Sequence, residues 1–334
     1  MGTKDYLGII WFSIILVVTP FIIGNDYYIG ILVFAAFNCL SCIGLSLLMG
    51  YAGQISLGHA AFLGIGAYSS ALLTVKMGWS PWLAIVLGII LAVIMALVIG
   101  IPSLRLKGHY LAMATLGFGS IIHIVTVAAV DFTGGPAGIS QIPTLNIFGF
   151  PINSDVKYYA FIWIIVVIGL FFALNIIHSR SGRALRAIHG SEDAAGSSGI
   201  HTSRYKIRIF VISAIYSSIA GSFYAHYVNY IDPGPFGIMH SVLLVTMVAV
   251  GGMHKVWGAV IGSILLSVLP EILSTISEVV EGYGIEYKPD YDTLIYGSIL
   301  LAIMLFLPGG IFQGVGDGFK RLKKLFTRKT SSAV

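Results

Sequence analysis

Residues 81–101 read PWLAIVLGIILAVIMALVIGI, a run with no charged side chain. As a helix it extends about 30 Å at about 1.5 Å per residue, the thickness of a bilayer's hydrocarbon core. Its apolar residues lie on every side rather than in one stripe, the pattern of a helix surrounded by protein and lipid. Working outward, comparable runs recur at 7–23, 29–50, 58–75, 110–130, 157–178, 207–230, 241–251, 256–273 and 291–307. The chain is 57% hydrophobic and only 10% charged, with mean hydropathy +0.92, more apolar surface than one soluble core of 334 residues can bury. The reading is an all-α integral membrane protein, a polytopic helical bundle of about ten transmembrane helices with broken or re-entrant segments. The run at 241–251 is short for a crossing and stops at Gly251 and Gly252, which predicts a broken or re-entrant helix there.

The run at 7–23 is longer than a signal-peptide core and no convincing cleavage site follows it, so it reads as a retained helix. No soluble domain of useful size remains. Residues 1–310 therefore read as one transmembrane domain and 311–334 as a basic tail. With the amino terminus in the cytoplasm, Arg105, Lys107, Arg180, Arg183, Arg186, Arg204, Lys206, Arg208, Lys255 and the basic tail share one side. The other side keeps Lys76, Lys157 and Lys288 beside Asp26, Asp131, Asp155, Asp232, Glu278, Glu281, Glu286, Asp290 and Asp292. The positive-inside rule then puts both termini in the cytoplasm of a bacterial cell, with the chain in its inner membrane. The tail reads as a stop-transfer anchor or a headgroup contact, and no nucleic-acid partner is expected. Cys39 and Cys42, three apart in an apolar run, read as packing residues rather than metal ligands.

Three segments interrupt the hydrophobic pattern. The first, 49–62, carries no formal charge: Gly50, Gly53 and Gly58 free the backbone from helical geometry, while Tyr51, Gln54, Ser56 and His59 offer polar groups that lipid cannot satisfy. Such a stretch belongs inside the bundle. With Ser56 capping a helix from near Leu57, the helix's amide end would face the interior and suit a solute carboxylate. Alternatively the glycines serve close helix packing, with Ala60 and Gly64 on the same face. His59 reads as a hydrogen-bonded structural histidine or a solute contact.

The second segment, 179–206, falls on the cytoplasmic side. Arg183, Leu185, Arg186, Ala187 and Ile188 fit a short amphipathic helix, and residues from Glu192 begin another with acids in its first turn and Gly199 at its end. Helices lying across this face are shaped to dock on a partner subunit. The third segment, 131–138, is rich in glycine and proline and faces outward, as does the acidic stretch 277–292; each reads as a connecting loop or a docking surface. Gly251, Gly252, Gly258 and Gly262 loosely echo the glycines of 50–64, a hint of an internal repeat.

Glu192-Asp193-Ala194-Ala195 followed by Gly199-Ile200 resembles the coupling-loop signature of bacterial ABC importer permeases. The residues 182–188 and 204–206 before and after it, and the segment 50–62, resemble the LivM-type permeases of branched-chain amino acid importers in particular. So do residues 104–110, Thr115-Leu116-Gly117-Phe118, 133–139, Gly251-Gly252 with Trp257-Gly258, and Pro270-Glu271-Ile272-Leu273, so that the resemblance covers about 29–310. The chain departs from these relatives at 251–259, where they keep a less charged stretch with a proline at the position of Ala259, and at Gly196-Ser197-Ser198.

The resemblance implies a permease that carries branched-chain amino acids or a related small polar solute by ATP-driven alternating access. Gly50, Tyr51, Gly53, Gln54, Ser56, Gly58 and His59 would line the path, and Arg183, Arg186, Glu192, Asp193, Ala194, Ala195 and Gly199 would meet the ATPase. ABC ATPase subunits, a second homologous permease and a periplasmic solute-binding protein are the implied partners. No cofactor is expected in this chain, the ATP being used by a partner. An ion-coupled secondary transporter is the alternative, with His123, His226 and Glu271 as its candidate ionisable groups. A membrane enzyme would need a polar catalytic cluster, and the sequence displays none.

Overall fold

The computed structural model describes residues 3–103, 109–147, 150–282, 290–307 and 309–314, and these are overwhelmingly helical. In order come α1 Thr3–Ile23, α2 Asp26–Ser46, α3 His59–Val75, α4 Pro81–Ser103, α5 His109–Ala128, α6 Val130–Thr133, α7 Asp155–His178, α8 Arg180–Gly190, α9 Glu192–Ser197, α10 Thr202–Val228, α11 Ile238–Gly251, α12 Val256–Gly282 and α13 Asp290–Phe306. Seven of them are long and apolar enough to cross a membrane: α1, α2 with its extension to Tyr51, α4, α5, α7, α10 and α12. Three shorter apolar helices accompany these, His59–Val75, Ile238–Gly251 and Leu294–Phe306. The sequence expectations for Arg105, Lys107, Glu286, Lys288 and the tail beyond residue 314 lie outside the described residues, as do those for the side chains of Glu278, Glu281, Asp290 and Asp292.

Helix α2 is the centre of the bundle and packs on α7, α10, α11 and α12. Cys39 and Cys42 lie fully buried along it, and the Cys42 sulfur is 3.9 Å from that of Met247. Helices α3 and α10 meet backbone to backbone: a β-carbon at Gly66 would overlap the Ser218 carbonyl, and one at Gly221 the Leu63 carbonyl. In lipid, where apolar side chains gain nothing by leaving the solvent, this closeness is what holds two helices together. Helix α1 lies on the outside, with Trp11 and Phe21 exposed. It is fastened by Phe12, edge-on to Trp163 and Trp257 at 5.9 and 5.8 Å, by the Tyr159 hydroxyl donating to the Leu16 carbonyl, and by Asp5 at 3.3 Å from His178.

Three boundaries differ from the sequence reading. Helix α12 continues to Gly282, past the end of its apolar run, because hydropathy marks where lipid ends while backbone hydrogen bonding continues through good helix formers such as Glu. Helix α11 is unbroken; the irregular backbone precedes it, at 229–237, instead of interrupting it. Segment 131–138 is ordered as α6 and a 3₁₀ turn at Gly135–Ala137, and next to it β1 Ile139–Ser140 pairs antiparallel with β4 Tyr230–Ile231. A second small pairing joins β2 Asn146–Ile147 to β3 Phe150–Pro151.

Candidate functional site

Helix α2 ends in a π-helical turn, Leu47–Tyr51, a widened geometry often found at functional sites. Gly50 sits in this turn, and a β-carbon there would overlap the Met253 carbonyl oxygen. Gly53 then takes φ +66°, a left-handed conformation that costs a side-chain-bearing residue energy, and the chain leaves the helix. It regains helical form only at His59, whose Nε2 is hydrogen-bonded to Ser213, roughly three turns or about 16 Å into α10. The stretch 53–58 is therefore non-helical backbone within the bundle.

Burial along this stretch alternates. Ala52, Gln54, Ser56 and Gly58 are buried, whereas Gly53 and Ile55 are exposed and Leu57 is half-buried. A period of two is that of extended chain, so one edge presses into the protein and the other stays open. Gln54 is only 4% exposed, and both atoms of its side-chain amide lack a hydrogen-bond partner among the described residues. Tyr51, by contrast, packs into the core. Ser56 does not cap the helix: α3 starts two residues later than expected, with Gly58 as its cap residue. The Ser56 hydroxyl instead lies 2.9 Å from His59 Nδ1, and Thr115 of α5 takes up the Leu57 amide at 3.0 Å. Both His59 nitrogens are thus engaged, the arrangement of a structural histidine.

The loop 179–206 folds as two helices. The Ser179 side chain accepts from the amides of Ser181 and Gly182, ending α7 and starting α8 in one step. Ala184, Leu185 and Ile188 are buried along α8, while Arg183 and Arg186 are exposed and donate to the His178 and Ile177 carbonyls at the end of α7. In α9 the Ser191 hydroxyl accepts from the Ala194 amide. Gly199, with φ +81°, closes the helix: its amide reaches the Gly196 carbonyl and that of Ile200 the Ala195 carbonyl. Glu192 is ion-paired with Lys206, a 6%-exposed lysine of α10. Ala195 is buried and anchors the helix, leaving Asp193 and Ala194 exposed.

The two predicted groups meet. The His189 ring of α8 lies 3.4 Å from the position a Gly53 β-carbon would take, and it stands 5.9 Å, ring to ring, from His254 in the turn between α11 and α12. Sequence reasoning singled out neither histidine, nor Met253 under Gly50, because these contacts join positions 65 or more residues apart. Thr115 was quoted only as part of a motif. Of the candidate ionisable groups, His226 is satisfied by Ser70 and the Pro143 carbonyl, both at 2.7 Å, and Glu271 accepts from the Tyr27 hydroxyl at 3.0 Å.

A multi-pass helical bundle holding an uncharged non-helical stretch inside it, directly above a surface loop of two short helices, is a membrane protein of the permease class. Residues 27–304 match the family model for the permease component of branched-chain amino acid transport systems, and the chain belongs to that family. It is 29% identical to the high-affinity branched-chain amino acid transport system permease protein LivM of Salmonella typhimurium, over 92% of this chain and 75% of that one. The LivM of Escherichia coli is 28% identical over the same shares. The permease protein LivH of Salmonella typhimurium is 27% identical, over 81% of this chain and 90% of LivH. No solved structure matches the chain.

Proposed function

We propose that the chain imports branched-chain amino acids, or a close small relative, by ATP-driven alternating access, with ATP hydrolysed on separate subunits. The observation that carries this reading is the contact of His189 with Gly53: the loop that would receive an ATPase touches the start of the non-helical stretch that would line the path. Movement of α8 and α9 then has a short route to Gly53, Gln54, Ser56 and Gly58, and through Gly50 to the turn at Met253. Likeness to both LivM and LivH supports a heterodimer of two related permeases, served by ATPase subunits and a solute-binding protein. We further propose that the three shorter apolar helices complete ten membrane segments. The basic residues of 180–208 then mark the cytoplasmic face of a bacterial inner membrane, with both termini on that side.

The test is uptake of labelled L-leucine into proteoliposomes holding the whole transporter. Uptake that needs ATP and the binding protein, and stops with vanadate, is the expected result. Uptake driven by a proton or sodium gradient without ATP would replace this reading with an ion-coupled carrier.

A further inference from the structure

The end of helix α2 and the stretch after it hold hydrogen-bond acceptors that the described residues leave unfilled. With its extension to Tyr51, α2 is 26 residues long, and no basic side chain stands in its last turns. Its carboxyl end carries the partial negative charge of a helix terminus. The Leu48 carbonyl takes both the Ala52 and the Gln54 amides. Beyond it, among the described residues, no hydrogen bond reaches a carbonyl from Met49 to Leu57.

The donors at the far end of the stretch are engaged. The Leu57 amide donates to Thr115 at 3.0 Å, that of Gly58 to the Ser56 hydroxyl at 3.5 Å, and that of Ala60 to Ser241 at 3.0 Å. The amides of Ile55 and Ser56 stay open among the described residues, so open acceptors outnumber open donors. Hydrocarbon offers these carbonyls nothing, and a buried carbonyl left unpaired is costly. Gly53 has no side chain, so its exposure is exposure of backbone, and Ile55, two residues on, is 43% exposed. Gln54 between them is 4% exposed, with neither atom of its side-chain amide partnered among the described residues. Backbone and side chain thus leave unpaired acceptors in the same few residues.

We propose that the open carbonyls of 49–57, with the Gln54 amide oxygen, hold the ammonium group of the solute as it passes. A zwitterionic amino acid donates hydrogen bonds through its ammonium alone, so that end fits a row of acceptors, whereas its carboxylate would meet lone pairs. The amides at the start of α3, where the sequence suggested a carboxylate, are held by side chains of this chain. A permease must release what it grips, and carbonyls without fixed charge bind an ammonium less tightly than a carboxylate would. This inference rests on the reading of the chain as an amino-acid permease.

The complete transporter in proteoliposomes, given L-leucine, tests it. Inserting the α-hydroxy acid counterpart of isoleucine at position 55 turns the Gln54–Ile55 amide into an ester. The change weakens the Gln54 carbonyl as an acceptor and removes only an N–H that has no partner among the described residues. Leucine carried per ATP hydrolysed is expected to fall at least threefold while the chain still co-purifies with its partners. Gln54→Glu, which keeps an acceptor, retains at least a third of the wild-type ratio, and Gln54→Lys, which puts an ammonium where the solute's would lie, abolishes transport. An ester variant with the wild-type ratio overturns the proposal, as does a lysine variant that transports as well as the glutamate one. If the Gln54 variants do not assemble, the ester alone decides. A wild-type transporter that carries no leucine with ATP defeats the functional reading; a working wild type with indifferent variants defeats this site alone.

Discussion

His189 closes against Gly53, its ring 3.4 Å from the site of the missing β-carbon, so the first helix of the surface loop touches the non-helical stretch with no residue between them. His189 is itself exposed. Truncating it leaves the core untouched and shifts stability by no more than about 0.5 kcal/mol, the range of ordinary surface changes. If the contact transmits movement, His189→Ala carries several-fold less leucine per ATP hydrolysed at an unchanged melting temperature. An unaltered ratio would remove His189 from the route.

Gly50 makes the opposite case. A methyl group there collides with the Met253 backbone, which cannot rotate away as a flexible side chain could. Gly50→Ala should destabilise the purified chain by about 1–3 kcal/mol, the cost of overpacking. Gly117, in α5 with open space around it, is the control: Gly117→Ala should be neutral or stabilising by up to about 1 kcal/mol. Thermal unfolding of both variants in detergent compares them directly.

Gln54 buries an amide whose two polar atoms are unpaired among the described residues, an arrangement unfavourable to folding. Gln54→Leu, of similar size, removes that penalty and should raise stability by about 1–2 kcal/mol. The same change should lower leucine uptake at least tenfold if the amide serves the passing solute. Higher stability with full uptake would show that Gln54 does not contact it.

Glu192 and Lys206 can be tested as a pair. Glu192→Gln leaves the Lys206 ammonium buried without its counter-ion, and a loss of about 1–3 kcal/mol is expected, toward the lower end because Glu192 is 28% exposed. Adding Lys206→Met to the first change should recover part of that loss, since the stranded charge is gone. A double-mutant cycle on unfolding gives the coupling energy, and a value near zero would mean that the pair does not hold α9 in place.

Much of the scaffold was legible because its causes are local. The run at 81–101 became Pro81–Ser103 and that at 157–178 became Asp155–His178, since length and hydropathy alone decide where lipid is crossed. The ends of α9 were readable too, from acids in its first turn and Gly199 at its close. The start of α3 was not: Gly58 offers no side chain as a cap, and Thr115 and Ser213, distant in the chain, fix where helix resumes. The same holds for Met253 under Gly50 and for His189 beside His254.

Helix α1 bears on how the chain is made. It is made before Trp163 and Tyr159, which grip it and belong to a helix that begins roughly 130 residues later, about 7–26 s of translation at 5–20 residues per second. Through that interval α1 must persist in the bilayer without the helix that grips it. A segment apolar all round can do so, because it needs no partner to hide a polar face. Its outward residues, idle in the finished bundle, are what let it wait in lipid for that helix.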